Sequence, residues 1–118
     1  MGNIYWRILF NTTKRETARR LIGNLVKHIG ECEILNLQPY WKDKNLFEAE
    51  FRQELSFQTS DRSLVEFLKK VSSVSDIWEV NFANAFNEVN QDVSVVANSA
   101  FKIQGIYWAT VSLDRSND

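Results

Sequence analysis

The sequence predicts an α+β fold in a single domain, residues 1–118. Two periodicities carry this prediction: apolar residues that alternate with polar ones indicate strands, and apolar residues that recur every three or four positions indicate helices. With 44% hydrophobic and 25% charged residues, the composition is that of a globular protein and excludes a disordered chain. The one cysteine, Cys32, excludes a disulfide framework.

The first strand and the first helix have clear signals. Residues 3–10 are rich in large apolar side chains and end at a polar Asn-Thr-Thr, as strands do. A helix is predicted over residues 13–29, opened by a capping box in which Thr13 and Glu16 satisfy backbone N–H groups. Its apolar stripe consists of Ala18, Leu21, Ile22, Leu25, Val26 and Ile29.

Glycine and proline mark the next boundaries. Gly30 stands where helices often end in a residue with positive φ, and we expect Gly23 to let the helix pack closely on a sheet. Residues 32–40 predict a second strand, in which Pro39 indicates an edge position or the end of the strand.

The third strand, residues 46–57, has the clearest pattern in the chain. Apolar and polar residues alternate along it: Phe47, Ala49, Phe51, Leu55 and Phe57 against Glu48, Glu50, Arg52 and Glu54. This period of two is that of a strand with one face in the core and the other in water. We expect the second and third strands to form an antiparallel hairpin.

A second helix is predicted after Ser60 or Asp61, either of which can cap it. Its apolar residues are Leu64, Val65, Phe67, Leu68 and Val71. Residues 77–82 predict a fourth strand, which alternates as well. One of its faces holds Trp78, Val80 and Phe82, and the other holds Glu79 and Asn81.

The order strand, helix, strand, strand, helix, strand over residues 1–82 predicts a ferredoxin-like split βαβ arrangement, an antiparallel sheet with both helices on one face. Residues 83–113 form a C-terminal extension that ends in a strand over residues 106–113, and residues 114–118 are a polar tail. Helix or strand stays open for residues 88–103. Helical spacing favours a third helix through Val89, Val93, Val96, Ala97 and Ala100.

Catalytic and metal-binding signals are few. The sequence holds no glycine-rich phosphate loop and no GxSxG or HExxH motif. A zinc site needs three or four ligands, and the single histidine, His28, and Cys32 cannot supply them alone. Gly30 separates the elements that hold these two residues, which disfavours a Cys–His nucleophilic pair. We expect a protein that is not an enzyme and uses no cofactor and no metal.

Charge is divided unevenly along the chain. Residues 1–45 hold 8 Lys/Arg and 4 Asp/Glu, a balance of +4, and residues 46–118 hold 6 and 11, a balance of −5. The basic share is concentrated in Lys14, Arg15, Arg19, Arg20 and Lys27. Such asymmetry can steer a charged partner. We expect no direct binding of nucleic acid, because glutamates on the third strand repel phosphate and the isoelectric point is near 5.8.

Aromatic residues that stand in adjacent pairs point to a binding surface. Neighbours on a strand face opposite ways, so one member of Tyr5-Trp6 and one of Tyr107-Trp108 should face outward. Tryptophan and tyrosine dominate protein-binding hot spots. The alternative for the rings is that a third helix or a dimer partner covers them. The alternative for the glutamates is that they only form a solvated strand face with no binding role. The predicted protein-binding residues are Glu48, Glu50, Glu54 and Glu79 as charge complements and Trp41 and Trp108 as anchors.

Two stretches carry a family resemblance: residues 2–10, Gly-Asn-Ile-Tyr-Trp-Arg-Ile-Leu-Phe, and residues 106–110, Ile-Tyr-Trp-Ala-Thr. In a small chain without a catalytic set, they resemble immunity proteins of bacterial contact-dependent growth inhibition systems. The resemblance implies a tight inhibitor of one cognate toxin, a basic nuclease domain acting on tRNA or DNA.

Two rival functions stay open. The first is an ACT-like regulatory domain that senses a small molecule between the subunits of a homodimer, and the second is a small enzyme that uses His28 or the glutamates. The sequence has no bilayer-length apolar run and no secretory signal, so we expect a cytoplasmic protein that does not bind membranes.

Overall fold

The computed structural model describes residues 2–55, 60–81 and 93–114. Within them lie two helices and six strands, and the predicted α+β class is confirmed. They are β1 (Asn3–Phe10), α1 (Arg15–Ile29), β2 (Glu33–Pro39), β3 (Phe47–Glu54), α2 (Ser60–Val74), β4 (Glu79–Asn81), β5 (Val93–Ala97) and β6 (Ile106–Asp114). The predictions for residues 56–59, 82–92 and 115–118, which include those for Phe57, Phe82 and Val89, fall outside the described residues.

The six strands form one antiparallel sheet in the order β2-β3-β1-β6-β5-β4. Its first half agrees with the split arrangement, because β3 lies between β1 and β2. Its second half differs: β6 lies beside β1, in the place where a ferredoxin-like sheet has its fourth strand, and β4 pairs with β5 at the far edge. β6 has nine residues and pairs along the whole of β1, so it satisfies the backbone groups on that side of β1.

The third helix favoured within residues 88–103 is wrong where the structure describes that segment, because Val93–Ala97 form β5. Val95 and Ala97 are buried opposite residues 111 and 109 of β6. Valine is stiff at its first side-chain torsion and packs well on a pleated surface, so the same apolar residues that fit helical spacing are better placed in a strand. The predicted last strand is confirmed as β6.

The core lies between one face of the sheet and both helices. The sheet contributes alternate residues of its central strands: Ile4, Trp6, Ile8 and Phe10 from β1, Phe47, Ala49 and Phe51 from β3, and Ala109, Val111 and Leu113 from β6. The helices contribute Leu21, Ile22, Leu25 and Ile29 from α1 and Phe67, Val71 and Val74 from α2. Because both helices pack on this face, neither covers the opposite face, which we name the open face.

The ends of α1 agree with the prediction only in part. Gly30 ends the helix as predicted, with a positive φ of +92°, and its N–H donates to the carbonyl of Val26, but its ψ of 178° lies outside the left-handed helical region. The predicted capping box is wrong. The N-cap is Lys14, one residue later than Thr13, and no side chain caps the helix. The hydroxyl of Thr12 instead accepts the N–H of Lys14 at 3.0 Å.

Gly23 does not pack on the sheet. It lies on the outer face of α1, and a Cβ built there meets nothing within 4 Å. The expectation of close packing is therefore wrong, because the buried stripe of α1 occupies the other side of the helix.

A buried amide ties α1 to the sheet. Gln53 lies on the core face of β3, where its Oε1 accepts the indole N–H of Trp6 at 2.7 Å. Its Nε2 donates to the carbonyls of Ile29 and Glu31 at 2.9 and 3.0 Å, and Lys70 of α2 also donates to Ile29. The carbonyls at the end of a helix lack partners within the helix, so this arrangement satisfies them and fixes the position of α1.

Candidate functional site

On the open face lie the odd-numbered residues of β1 and the even-numbered residues of β3. From β6, the even-numbered residues Trp108 to Asp114 lie on the same face. All four predicted glutamates, Glu48, Glu50, Glu54 and Glu79, belong to it by their register. They do not form one cluster. Four strand spacings separate β3 from β4, which places Glu79 about 19 Å from Glu50 across the sheet.

Glu48 is buried, although the alternating pattern places it in water. Its exposed fraction is 4%. Its Oε2 accepts Nε and Nη2 of Arg7 at 2.6 and 2.5 Å, and its Oε1 accepts the side-chain amide of Gln38 at 3.1 Å. Tyr40 and Leu46, from the connection between β2 and β3, lie beside Arg7 at this end of the open face. The expectation of a solvent-facing Glu48 is therefore wrong.

Arg7 is held by aromatic rings as well as by Glu48. Its guanidinium carbon lies 5.7 Å from the ring centre of Tyr40 and 5.6 Å from that of Trp108. Partial burial lowers the pKa of Arg7, but the hydrogen bond and the charge of Glu48 outweigh it, so the pKa is raised above its ordinary value. The guanidinium is therefore charged at every accessible pH and fixed in place.

These residues line a cleft of about 440 Å³ at one end of the open face. Its apolar and aromatic walls are Leu9, Tyr40, Leu46, Tyr107 and Trp108, and its charged groups are Arg7, Lys42 and Asp43. Trp41 stands next to the cleft with an exposed fraction of 75%, and the Nζ atom of Lys42 lies 5.0 Å from the centre of its ring. The structure thus brings the two predicted anchors, Trp41 and Trp108, to the same end of the sheet.

One of the two adjacent aromatic pairs has one ring in the core and one facing outward, as expected, and the other pair does not. Trp6 is in the core and Tyr5 faces outward, as expected. In the second pair, Trp108 belongs to the open face and Tyr107 is exposed. The pairing of β1 with β6 shifts by one residue at this point, so Tyr107 is left without a partner in the register and does not enter the core.

His28 and Cys32 do not come together. His28 Nδ1 lies 3.0 Å from the carbonyl of Asn24 in its own helix, and within the described residues no hydrogen bond joins it to Cys32. Burial raises the pKa of the half-buried Cys32 thiol, and the charge of Lys70 offsets part of this shift. Over the same described residues, no group of three His, Cys, Asp or Glu side chains could hold a metal ion.

The basic residues of α1 lie on the other side of the molecule. Arg19, Arg20 and Lys27 are exposed on the outer face of this helix, and α1 packs on the face of the sheet opposite the open face. The uneven charge seen along the chain is therefore also uneven in space.

Sequence reasoning missed Arg7 and Gln53, and both had a signal. Arg7 is the only charge in a strand of large apolar residues, and Gln53 is a polar residue at a core position of β3. A buried polar group requires partners, so each position called for a specific contact.

Comparisons with protein-family models, with curated proteins and with solved structures found no match. In the part of the chain that the structure describes, neither helix has the length and apolar character to cross a bilayer.

Proposed function

We propose that this protein is an immunity protein, which binds a cognate bacterial toxin domain through the open face and neutralises it. The partner that fits this surface is a basic domain such as a nuclease acting on tRNA or DNA, and binding blocks its active site or its substrate surface. The observation that carries the proposal is one sheet face that neither helix covers, with acidic residues on it and an exposed tryptophan beside it.

Acidic and aromatic groups have different tasks in this proposal. Glu50, Glu54 and Glu79 attract a basic partner and speed association, because complementary charge raises the rate of encounter. Trp41 and Trp108 supply apolar contact area that excludes water, as tryptophan does in binding hot spots. Glu48 acts indirectly, since it holds Arg7 against the ring of Trp108.

The first test is neutralisation. We expect the partner to be the toxin domain encoded beside this chain, and co-expression of the two should restore growth that the toxin alone abolishes. The result that would overturn the proposal is a toxin that stays active in the presence of the folded chain and shows no binding to it.

The second test measures the contribution of the open-face charges to the association rate. The double variant Glu50→Lys/Glu54→Lys should lower the association rate about tenfold at low salt, with less effect at high salt. Glu16→Lys is the matched control for the single variant Glu50→Lys, because each changes the net charge by the same amount and Glu16 lies on α1, on the other side of the sheet. Equal slowing by Glu16→Lys would show that net charge matters and that the open face does not.

Trp41→Ala should weaken the complex roughly 30-fold, the effect of losing a hot-spot residue of about 2 kcal/mol. The free protein should keep its stability, because Trp41 is largely exposed. Leu68→Ala on α2 also removes an exposed apolar side chain and is the control. An affinity that Trp41→Ala leaves unchanged would remove this residue from the interface.

A further inference from the structure

Burying Glu48 beside Arg7 costs more free energy than filling the same place with apolar side chains would. Desolvating a carboxylate such as Glu48 is unfavourable, and a buried ion pair is often no more stable than apolar residues of the same volume. The open face could be closed at this end by apolar side chains alone, as Leu9 and Leu46 show by their burial. Stability alone therefore does not account for a fixed charge at this place, where the Glu48 side chain is 6% exposed and that of Arg7 is 37% exposed.

Arg7 has hydrogen-bonding capacity to spare. A guanidinium carries five N–H groups. Glu48 accepts one from Nε and one from Nη2, and the rings of Tyr40 and Trp108 flank the guanidinium, so N–H groups remain for a further acceptor. The Arg7 side chain is 37% exposed and lines the cleft. Its orientation is fixed before any ligand arrives, which removes part of the entropic cost of binding.

The other groups of the cleft set the size and charge of a ligand. A volume of about 440 Å³ lies within the range of small-molecule sites. Trp108 and Tyr107 offer aromatic surface to a flat body. Asp43 is already engaged, because its Oδ1 accepts the N–H of Asn45 at 2.9 Å. The lining carries two cations, Arg7 and Lys42, and one anion, Asp43, so the cleft suits a single negative charge rather than a polyanion.

We propose that this cleft is a binding site for a small molecule that carries one carboxylate on a flat, apolar body. The carboxylate accepts N–H groups of Arg7 that Glu48 leaves free, because the planar fork of a guanidinium matches a carboxylate. The flat body lies against the aromatic wall. This inference goes beyond the proposed function, and its test uses the isolated chain, so that failure of one leaves the other standing.

The probes are benzoate, benzamide and acetate. Benzamide keeps the shape of benzoate without the charge, and acetate keeps the charge without the ring. Each is titrated into the ¹⁵N-labelled protein while the four tryptophan indole N–H signals are followed. Benzoate should shift the signal of Trp108 with a Kd of about 1 mM and leave those of Trp6 and Trp78 in place. Benzamide and acetate should bind at least about tenfold more weakly.

Variants of the protein test whether Arg7 binds the carboxylate and whether Tyr107 contacts the ring of the ligand. Arg7→Lys keeps a cation beside Glu48 but lacks the fork, and it should weaken benzoate about tenfold while benzamide is unchanged. Arg20→Lys on α1 is the matched control and should change nothing. Tyr107→Ala, at an exposed position, should weaken benzoate and benzamide alike.

Three results would overturn the proposal. The first is equal binding of benzoate and benzamide, which would mean that Arg7 is not used. The second is a shift of Trp6 or Trp78 as large as that of Trp108, which would mean nonspecific binding. The third is the absence of any shift with benzoate at several times the expected Kd. If Arg7→Lys fails to fold, the comparison of benzoate with benzamide and the Tyr107→Ala variant still decide the matter.

Discussion

Gln53→Met removes the buried amide that joins β3 to α1. Methionine has a similar length and volume but offers no strong donor or acceptor, so the change deletes polar contacts with little effect on core packing. Trp6, whose indole N–H bonds to Gln53, is only 1% exposed. Water cannot replace the lost acceptor, and the indole N–H is left unsatisfied.

The expected loss of stability follows from these contacts. A stranded buried donor costs about 2 kcal/mol, and losing the amide bonds to the carbonyls at the end of α1 adds about 1 kcal/mol. The second value is small because Ile29 keeps its bond from Lys70. The free energy of unfolding should therefore fall by about 3 kcal/mol, which lowers Tm by roughly 10 °C in a domain of this size.

Urea unfolding, followed by tryptophan fluorescence, measures the effect at an unchanged m-value. Gln104→Met, at an exposed turn position, is the control and should stay within about 0.5 kcal/mol of the parent. Trp6→Phe removes the other partner, so the double variant should be less destabilised than the sum of the singles by at least about 1 kcal/mol. Strict additivity, or a Gln53→Met protein as stable as the parent, would refute the reasoning.

Three further predictions concern other positions. Gly105→Ala should destabilise the fold by about 2 kcal/mol in urea unfolding, because φ is +92° and the new Cβ would lie 2.7 Å from both Cδ atoms of Leu21. Gly23→Ala should stabilise it by about 1 kcal/mol in the same assay, and a loss of stability would show a hidden contact. Iodoacetamide should modify Cys32 with a pH midpoint above that of the urea-unfolded chain, since burial raises the thiol pKa. The folded state holds this proton more tightly, so this group's contribution to stability is present below the unfolded pKa and is lost as pH rises through the folded pKa; equal midpoints would contradict this.

The sequence predicts the elements of this fold better than their arrangement. Alternation along residues 47–54 and the apolar stripe of α1 depend on local spacing, and both are confirmed. Strand order depends on pairing between segments that lie far apart in the sequence, such as β1 with β6, and local patterns carry no information about such pairing.

The candidate site shows the same division. Position along a strand predicts which face Glu48, Glu50 and Glu54 occupy, and the structure places all three on the open face. It does not predict burial, because Glu48 is buried among partners from two other strands, Arg7 of β1 and Gln38 of β2, which meet it only in the folded sheet. The cleft was missed for a related reason: Arg7, Tyr40 and Trp108 come from three separate segments of the chain and meet only after the sheet has formed.

The placement of Arg19, Arg20 and Lys27 on one side of the sheet, and of Glu50 and Glu54 on the other, gives the molecule an electric dipole across its thickness. With a net charge of only −1, this dipole rather than the overall charge governs how the molecule turns in the field of an approaching protein. A cationic body rotates the chain so that the sheet meets it first, and the helix side is repelled. The selection of orientation takes place within about 10 Å, the screening distance at 0.1 M salt, before any side chains touch.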